Sequence, residues 1–243
     1  MKVYIGCSGF NYKDWQNKFY PADLPESGWL EYYAGQFNTV EINNTFYSFP
    51  KQNHLKKWKE QVGGDFKFTI KAHRYFTHLK KLNTDEDFRE RLEGFQDTVR
   101  VMEGKLGCIL WQLPGNQHQN ISKLEAFCNC LDKRMKHVVE FRHESWFNTS
   151  VYDLLKDKGV ACSMLSAPGN LPEDTIATAN TAYLRFHGKT TWYAYNYSEQ
   201  ELKNWRQRLD SLHETERLFV YFNNDKNAYS AKNAQTLKKL FNL

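Results

Sequence analysis

Three pairs of polar residues interrupt apolar runs of this 243-residue chain at the same spacing: Glu41 and Asn43 in TVEINN, Glu140 and Arg142 in VVEFRHESW, and Arg185 and His187 in YLRFHG. Side chains two apart on a strand share one face, so each pair points the same way. A carboxylate beside a guanidinium on an inner face is costly unless the two pair, hold a ligand, or meet solvent. Ser8, Lys71, Gln112, Asn223 and Asn224 close other apolar runs in the same manner.

These residue types define the available chemistry. Glu41 and Glu140 permit paired acid/base or glycosidase-like work, which depends on a carboxyl separation that sequence does not give. Lys71, if close to Arg142 or Arg185, would have a depressed pKa and serve as base or Schiff-base nucleophile; as a counter-ion to Glu41 or Glu140 it would do neither. His187 suits a proton shuttle or a hydrogen-bonded structural role. Ser8, Asn43, Gln112, Arg142, Arg185, Asn223 and Asn224 are candidate ligand contacts. Tyr193, in FHGKTTWYAYNYS with Trp192, Tyr195 and Tyr197, offers an aromatic face for a sugar or base, or a loop packed down on the fold. Arg185, Asn223, Asn224 and a following helix N-terminus would make an anion site. A metal would have to use Glu41, Glu140, His187 and Asp225, a sparse set without HExxH, so neither a metal nor an organic cofactor is expected.

Short apolar runs alternate with helical patterns throughout. Strands are predicted near 3–7, 38–42, 66–71, 106–112, 137–142, 160–165, 182–187 and 217–223. Helices are predicted near 27–36, 53–61, 84–103, 122–132, 149–158, 199–213 and 229–241. Thr84, Ser122 and Ser198 precede acidic first turns and are expected to cap. Eight strands with interleaved helices and no GxGxxG motif favour a closed (β/α)8 TIM-like barrel of one domain over residues 1–243. The sixth unit, SAPGNLPEDTIATAN, carries two prolines and no helical period, so it is expected to be irregular. In such a barrel all the residues named above gather at the C-terminal ends of the strands, where loops converge on substrates.

Bulk properties narrow the class. Hydrophobic content is 41% with 25% charged residues, and no apolar run approaches the roughly 18 residues of a membrane span. MKVYIGCSGF does not read as a signal peptide, so a cytoplasmic protein without membrane contact is expected. Five cysteines, most of them in apolar runs, read as small hydrophobes rather than disulfides. A net charge of +5 and 16% aromatics keep nucleic acid open as a partner beside an anionic or sugar-like small molecule.

The blocks GCSGFNYKDW with FYP, FNTVEINNTFYSFP, FKFTIKAHRYFTH, LGCILWQLP, VEFRHESWF, YLRFHG and VYFNN occur in order from Gly6 to about Ala234. On these blocks the chain resembles the DUF72 or YecE-like proteins. The resemblance implies a TIM barrel distantly similar to the xylose isomerase and endonuclease IV barrels, and assigns no catalytic residue. Cys7 stands where Thr is usual, and MLSAP ends the sixth strand where many members have an acidic residue.

The leading expectation is an enzyme acting by acid/base chemistry on a sugar-like or phosphorylated molecule. A nucleic-acid-processing hydrolase and a non-catalytic binding or scaffold protein are the rivals. With Glu140 at a solvated mouth, held by Arg142 and Lys71, Glu140→Gln would change stability by no more than about 1 kcal/mol; a dry network would make it cost about 3–5 kcal/mol.

Overall fold

The computed structural model describes residues 1–243. Eight parallel strands close into a barrel in sequence order: β1 (Lys2–Ser8), β2 (Thr39–Ile42), β3 (Lys67–Lys71), β4 (Leu106–Gln112), β5 (His137–Glu140), β6 (Ala161–Ser166), β7 (Thr181–Phe186) and β8 (Arg217–Phe222). The ring is sealed by β1 against β8, with Ile5 beside Val220 and Cys7 beside Phe222. Parallel strands require crossovers, and six of the seven are helical: α1 (Trp29–Gln36), α2 (Gln52–Glu60), α3 (Glu86–Arg100), α4 (Ile121–Asn129), α5 (Thr149–Lys158) and α6 (Glu199–Leu209), while α7 (Tyr229–Leu240) follows β8. No helix joins β6 to β7, as the two prolines and missing period of that segment predict.

Strand alternation separates two cores. Outward residues such as Ile5, Val40, Ile109, Val139, Leu184 and Val220 pack against the helices in one large apolar cluster. Inward residues Tyr4, Cys108, Leu110, Val138, Ala161, Tyr183, Phe219 and Tyr221 form a small cluster inside the barrel. The inner face is therefore only partly apolar. Above that plug the barrel holds hydroxyls, with Tyr221 Oη 2.6 Å from Thr39 Oγ1 and 2.8 Å from Thr69 Oγ1.

Two helix caps differ from expectation. Asp85, not Thr84, accepts from the Phe88 N–H at 2.9 Å, and Asn120, not Ser122, accepts from Lys123 N–H at 2.9 Å. In both cases a neighbouring Asx side chain reaches the third N–H of the helix. Ser198 does form the expected capping box with Glu201. All five cysteines are free thiols. At the sixth corner, where the sequence lacks an acidic strand end, Glu173 from the irregular segment accepts from Ser166 Oγ at 3.0 Å.

Candidate active site at the barrel mouth

Glu41, Lys71, Glu140, Arg142, Arg185, His187 and Asn223 come from the ends of β2, β3, β5, β7 and β8 and share the inner face. At their centre is Arg185. Its Nη1 donates to Glu140 Oε2 and its Nη2 to Glu41 Oε1, both at 2.7 Å. The other oxygen of Glu41 accepts from Tyr183 Oη at 2.5 Å, and the other oxygen of Glu140 accepts from Arg142 Nε. Glu41, Glu140, Arg185 and His187 are all fully buried. This burial is tolerable because each carboxylate oxygen has a donor and each guanidinium a carboxylate.

This arrangement corrects the expectation for Glu140. Its partners are Arg142 and Arg185, not Lys71, and it is dry rather than solvated. Burial alone would raise its carboxyl pKa, but the Arg142 and Arg185 guanidiniums outweigh that and hold it well below the usual value. Glu41 and Glu140 thus form a charge frame, and Glu140→Gln belongs on the large side of the expected range.

The outer layer is more open. Arg142 Nη2 lies 2.9 Å from His187 Nε2, and its guanidinium lies 4.7 Å from the Trp192 ring. Arginine can only donate, so Nε2 is the acceptor and the imidazole proton sits on Nδ1. Asn223, whose amide is 3.1 Å from Nδ1, must then present its oxygen. Burial, with Arg142 and Arg185 beside it, pushes the His187 pKa well below its ordinary value. His187 is therefore a neutral, oriented imidazole near neutral pH.

Lys71 behaves differently from the other mouth cations. It forms no salt bridge; its ammonium rests 4.1 Å from the centre of the Phe46 ring. Burial first, then Arg185, lowers its pKa to about 7. The counter-ion role is thereby set aside. One wide turn at Tyr75–Leu79, with Lys80 N–H bonding the Tyr75 carbonyl at 2.8 Å, follows β3 and brings His78 edge-on to Phe46 at 4.9 Å.

The loop after β7 folds over His187. Gly188 makes this fold-back possible, since its φ is +112° and a Cβ there would stand 2.2 Å from the Thr191 carbonyl oxygen. Tyr193 takes a left-handed φ of 63°, held by its N–H to the His187 carbonyl at 2.7 Å. Trp192 and Tyr193 lie 5.4 and 6.2 Å from the imidazole, with Tyr193 exposed. Tyr195 and Tyr197 instead serve the loop, bonding Glu201 and Ser166.

Not every candidate contact meets the opening. Asn224 is buried, its amide donating to the Tyr195 carbonyl and Asn233. Arg185 spends both terminal nitrogens on carboxylates. The expected anion site built on Arg185, Asn223 and Asn224 is thus not formed as a unit, because packing consumes two of its three donors. Gln112 is half-buried and donates to the Leu113 carbonyl. Ser8 is buried, and its hydroxyl, like Asn43 Oδ1, has no protein partner. No three His, Cys, Asp or Glu side chains converge as a metal site. Tyr183 was legible from the same alternation as Arg185 and His187, two and four residues before them. Phe46 and His78 arrive on connecting turns, which no spacing announces.

Comparison with known proteins agrees with this architecture. The family described as "Protein of unknown function DUF72" matches residues 4–243. The chain is 26% identical to the UPF0759 protein YunF of Bacillus subtilis over 272 aligned positions, covering 99% of this chain and 95% of the relative. It is 22% identical to the UPF0759 protein YecE of Escherichia coli K12, covering 97% of this chain and 91% of the relative. The crystal structure of a DUF72 family protein from Thermotoga maritima superposes with a TM-score of 0.91 at 29% identity, covering 100% of both chains. On the whole-chain match and on the shared barrel, this chain belongs to the DUF72 family.

Proposed function

We propose that the barrel mouth is the active site of an enzyme that moves protons on a small anionic or sugar-like molecule, with Lys71 as the acid/base group. One observation carries this reading. Two carboxylates, Glu41 and Glu140, are matched by two guanidiniums, Arg185 and Arg142, which leaves Lys71 as the surplus cation. An unpaired ammonium with a pKa of about 7 can give and take a proton at neutral pH, as acid/base catalysis requires. It also leaves the mouth one charge positive when protonated, which favours an anionic ligand.

The other residues follow from that assignment. Glu41, Glu140 and Tyr183 fix Arg185, whose charge helps depress Lys71. Glu140 also fixes Arg142, which sits half-buried against Trp192 and orients His187. Arg142, Asn43, Gln112 and Asn223 are the half-buried polar groups around the opening, and Tyr193 supplies an exposed ring. Water excluded by Trp192 and Tyr193 would strengthen each polar contact to a bound molecule.

Competitive acetylation with acetic anhydride, read by peptide mass spectrometry, tests the reading. Lys71 should label with a midpoint near pH 7, where ordinary lysines label near pH 10.5. A calorimetric screen of sugars and sugar phosphates should then find a ligand that protects Lys71 and whose turnover is lost in Lys71→Met. Labelling of Lys71 with an ordinary midpoint, or protection by no anion or sugar, would overturn the assignment.

A further inference from the structure

We propose that the opposite, N-terminal end of the barrel is a second ligand site that binds a small polyphosphorylated anion. It does not depend on the reading of the mouth. A cavity of about 450 Å³ opens there, within the range of small-molecule sites. Lys2, Lys67, Lys136 and Arg217 line it, with Arg100 and Arg134 at one side. Only two carboxylates, Glu103 and Asp132, share the lining.

The strand register makes this clustering costly without an anion. Lys2 stands beside Arg217 across the β1–β8 pair, and like charges directly opposite destabilise a sheet. Alternation puts both on the same inner face as Tyr4 and Phe219, whose stacked rings, 4.6 Å apart, form the floor. Lys67 enters from β3. Its ammonium is pushed down by burial, and then by Lys2, Arg217 and Lys136, against an opposing pull from Asp65, so three cations from separate parts of the chain act on a fourth at this spot.

The carboxylates that reach Lys2 and Arg217 are few and turned outward. Lys2 reaches Asp65 only at 3.6 Å, and that carboxylate is 96% exposed. Arg217 pairs with exposed Glu216 at 3.0 Å, while Arg100 and Arg134 at the side are better matched, both reaching Asp132 and Arg100 also pairing with Asp97 at 2.6 Å. Lys136 has no salt bridge.

Neutralising helix C-termini, which face this end of such a barrel, would be the ordinary use of these cations. Lys67 does part of that work, its Nζ bonding the Gly104 carbonyl after α3, and lysines outside the lining do more: Lys105 Nζ bonds the Lys59 carbonyl at 2.8 Å and also that of Val62, at the end of α2, and Lys59 Nζ bonds the Val101 carbonyl at 3.0 Å. Lys2, Lys136 and Arg217 bond no helix carbonyl. The floor rings are almost fully covered, at 2% and 1% exposure, so they offer no stacking face for a base. The recognised chemistry is the clustered negative charge of linked phosphates, held by several cations at once.

Isothermal calorimetry with sodium tripolyphosphate, against sodium chloride at matched ionic strength, tests this on the intact chain. Saturable one-to-one binding is expected, weakened at least about tenfold in Lys136→Gln/Arg217→Gln and unaltered in Arg142→Gln at the mouth. Thermal unfolding of the double variant without ligand should be equal to wild type or higher, because repulsion is relieved. Four results would overturn the proposal: heats no greater than with salt, undiminished binding by the double variant, loss of binding in Arg142→Gln, or tighter and length-dependent binding of single-stranded oligonucleotides that displaces tripolyphosphate. A double variant that is less stable and binds tripolyphosphate no differently would assign these cations to folding instead.

Discussion

At the barrel mouth, Arg142 and Arg185 meet Glu140 and Glu41 at hydrogen-bond distance on the same inner face. At the other end, Lys2 and Arg217 meet each other, and their carboxylates, Asp65 and Glu216, stand at the rim. The same alternation that places a cation inside thus has opposite consequences at the two ends. Where an inner carboxylate stands within hydrogen-bond reach, the charges neutralise each other and can be buried dry. Without one they stay near water and remain available to an anion. Lys71 is the exception at the mouth, since folding leaves it no carboxylate.

The sharpest break of this contrast is Arg185→Met. It leaves Glu41 and Glu140 buried without their shared partner, and urea unfolding should show a loss of about 4 kcal/mol or more. Glu140→Gln should cost about 3 kcal/mol, because Arg142 and Arg185 lose their common carboxylate while Arg185 keeps Glu41. A loss below about 1 kcal/mol would show that water reaches the network after all.

Acid should act on the mouth through two groups, His187 and Glu140. The His187 pKa is lowered in the folded state, so below its ordinary value of 6.5 the unfolded chain binds a proton that the folded chain refuses, and stability falls. Glu140 is held below its ordinary 4.5, so its contribution is complete above that value and is lost as pH falls through the folded value. Urea midpoints should therefore decline from pH 7 to 5 and again below 4.5, and His187→Gln should remove part of the first decline, the rest belonging to His78 and His137, whose pKa values burial lowers to about 4.

Lys71→Met should do the reverse and stabilise. Wild type bears a poorly solvated ammonium below pH 7, and the unfolded lysine keeps its proton to about 10.5. Between these values wild type gains stability as pH rises. The variant's advantage, about 1–2 kcal/mol at pH 6 after allowing for partial exposure, should shrink to nothing near pH 10.5. The smallest effect is expected outside both charge clusters: Ser198→Ala removes the α6 capping box and should cost about 1 kcal/mol at any pH between 6 and 9.

Much of the architecture was legible because it depends on local periodicity. Strand and helix repeats in the sequence are enough to specify eight parallel strands, seven helices and a sixth unit without one. Two-residue spacing likewise determined that Glu41, Glu140, Arg142, Arg185 and His187 face inward. Helix starts were less secure, since Asp85 or Thr84 can each cap within one residue, and only the backbone path selects between them.

Which charges pair was a matter for the tertiary structure. Spacing along one strand says nothing about the neighbour across the barrel, so the sequence could not choose Arg185 over Lys71 as the partner of Glu140. Closure of the ring made that choice by turning the inner faces of β2, β5 and β7 toward one another. Closure also set Lys2 against Arg217, 215 residues apart in the chain, and left Lys71 beside Phe46. Sequence determines which face a side chain is on; only the closed barrel determines the distances over which Coulomb attraction and desolvation act, and those distances decide whether a charge is buried, paired or free.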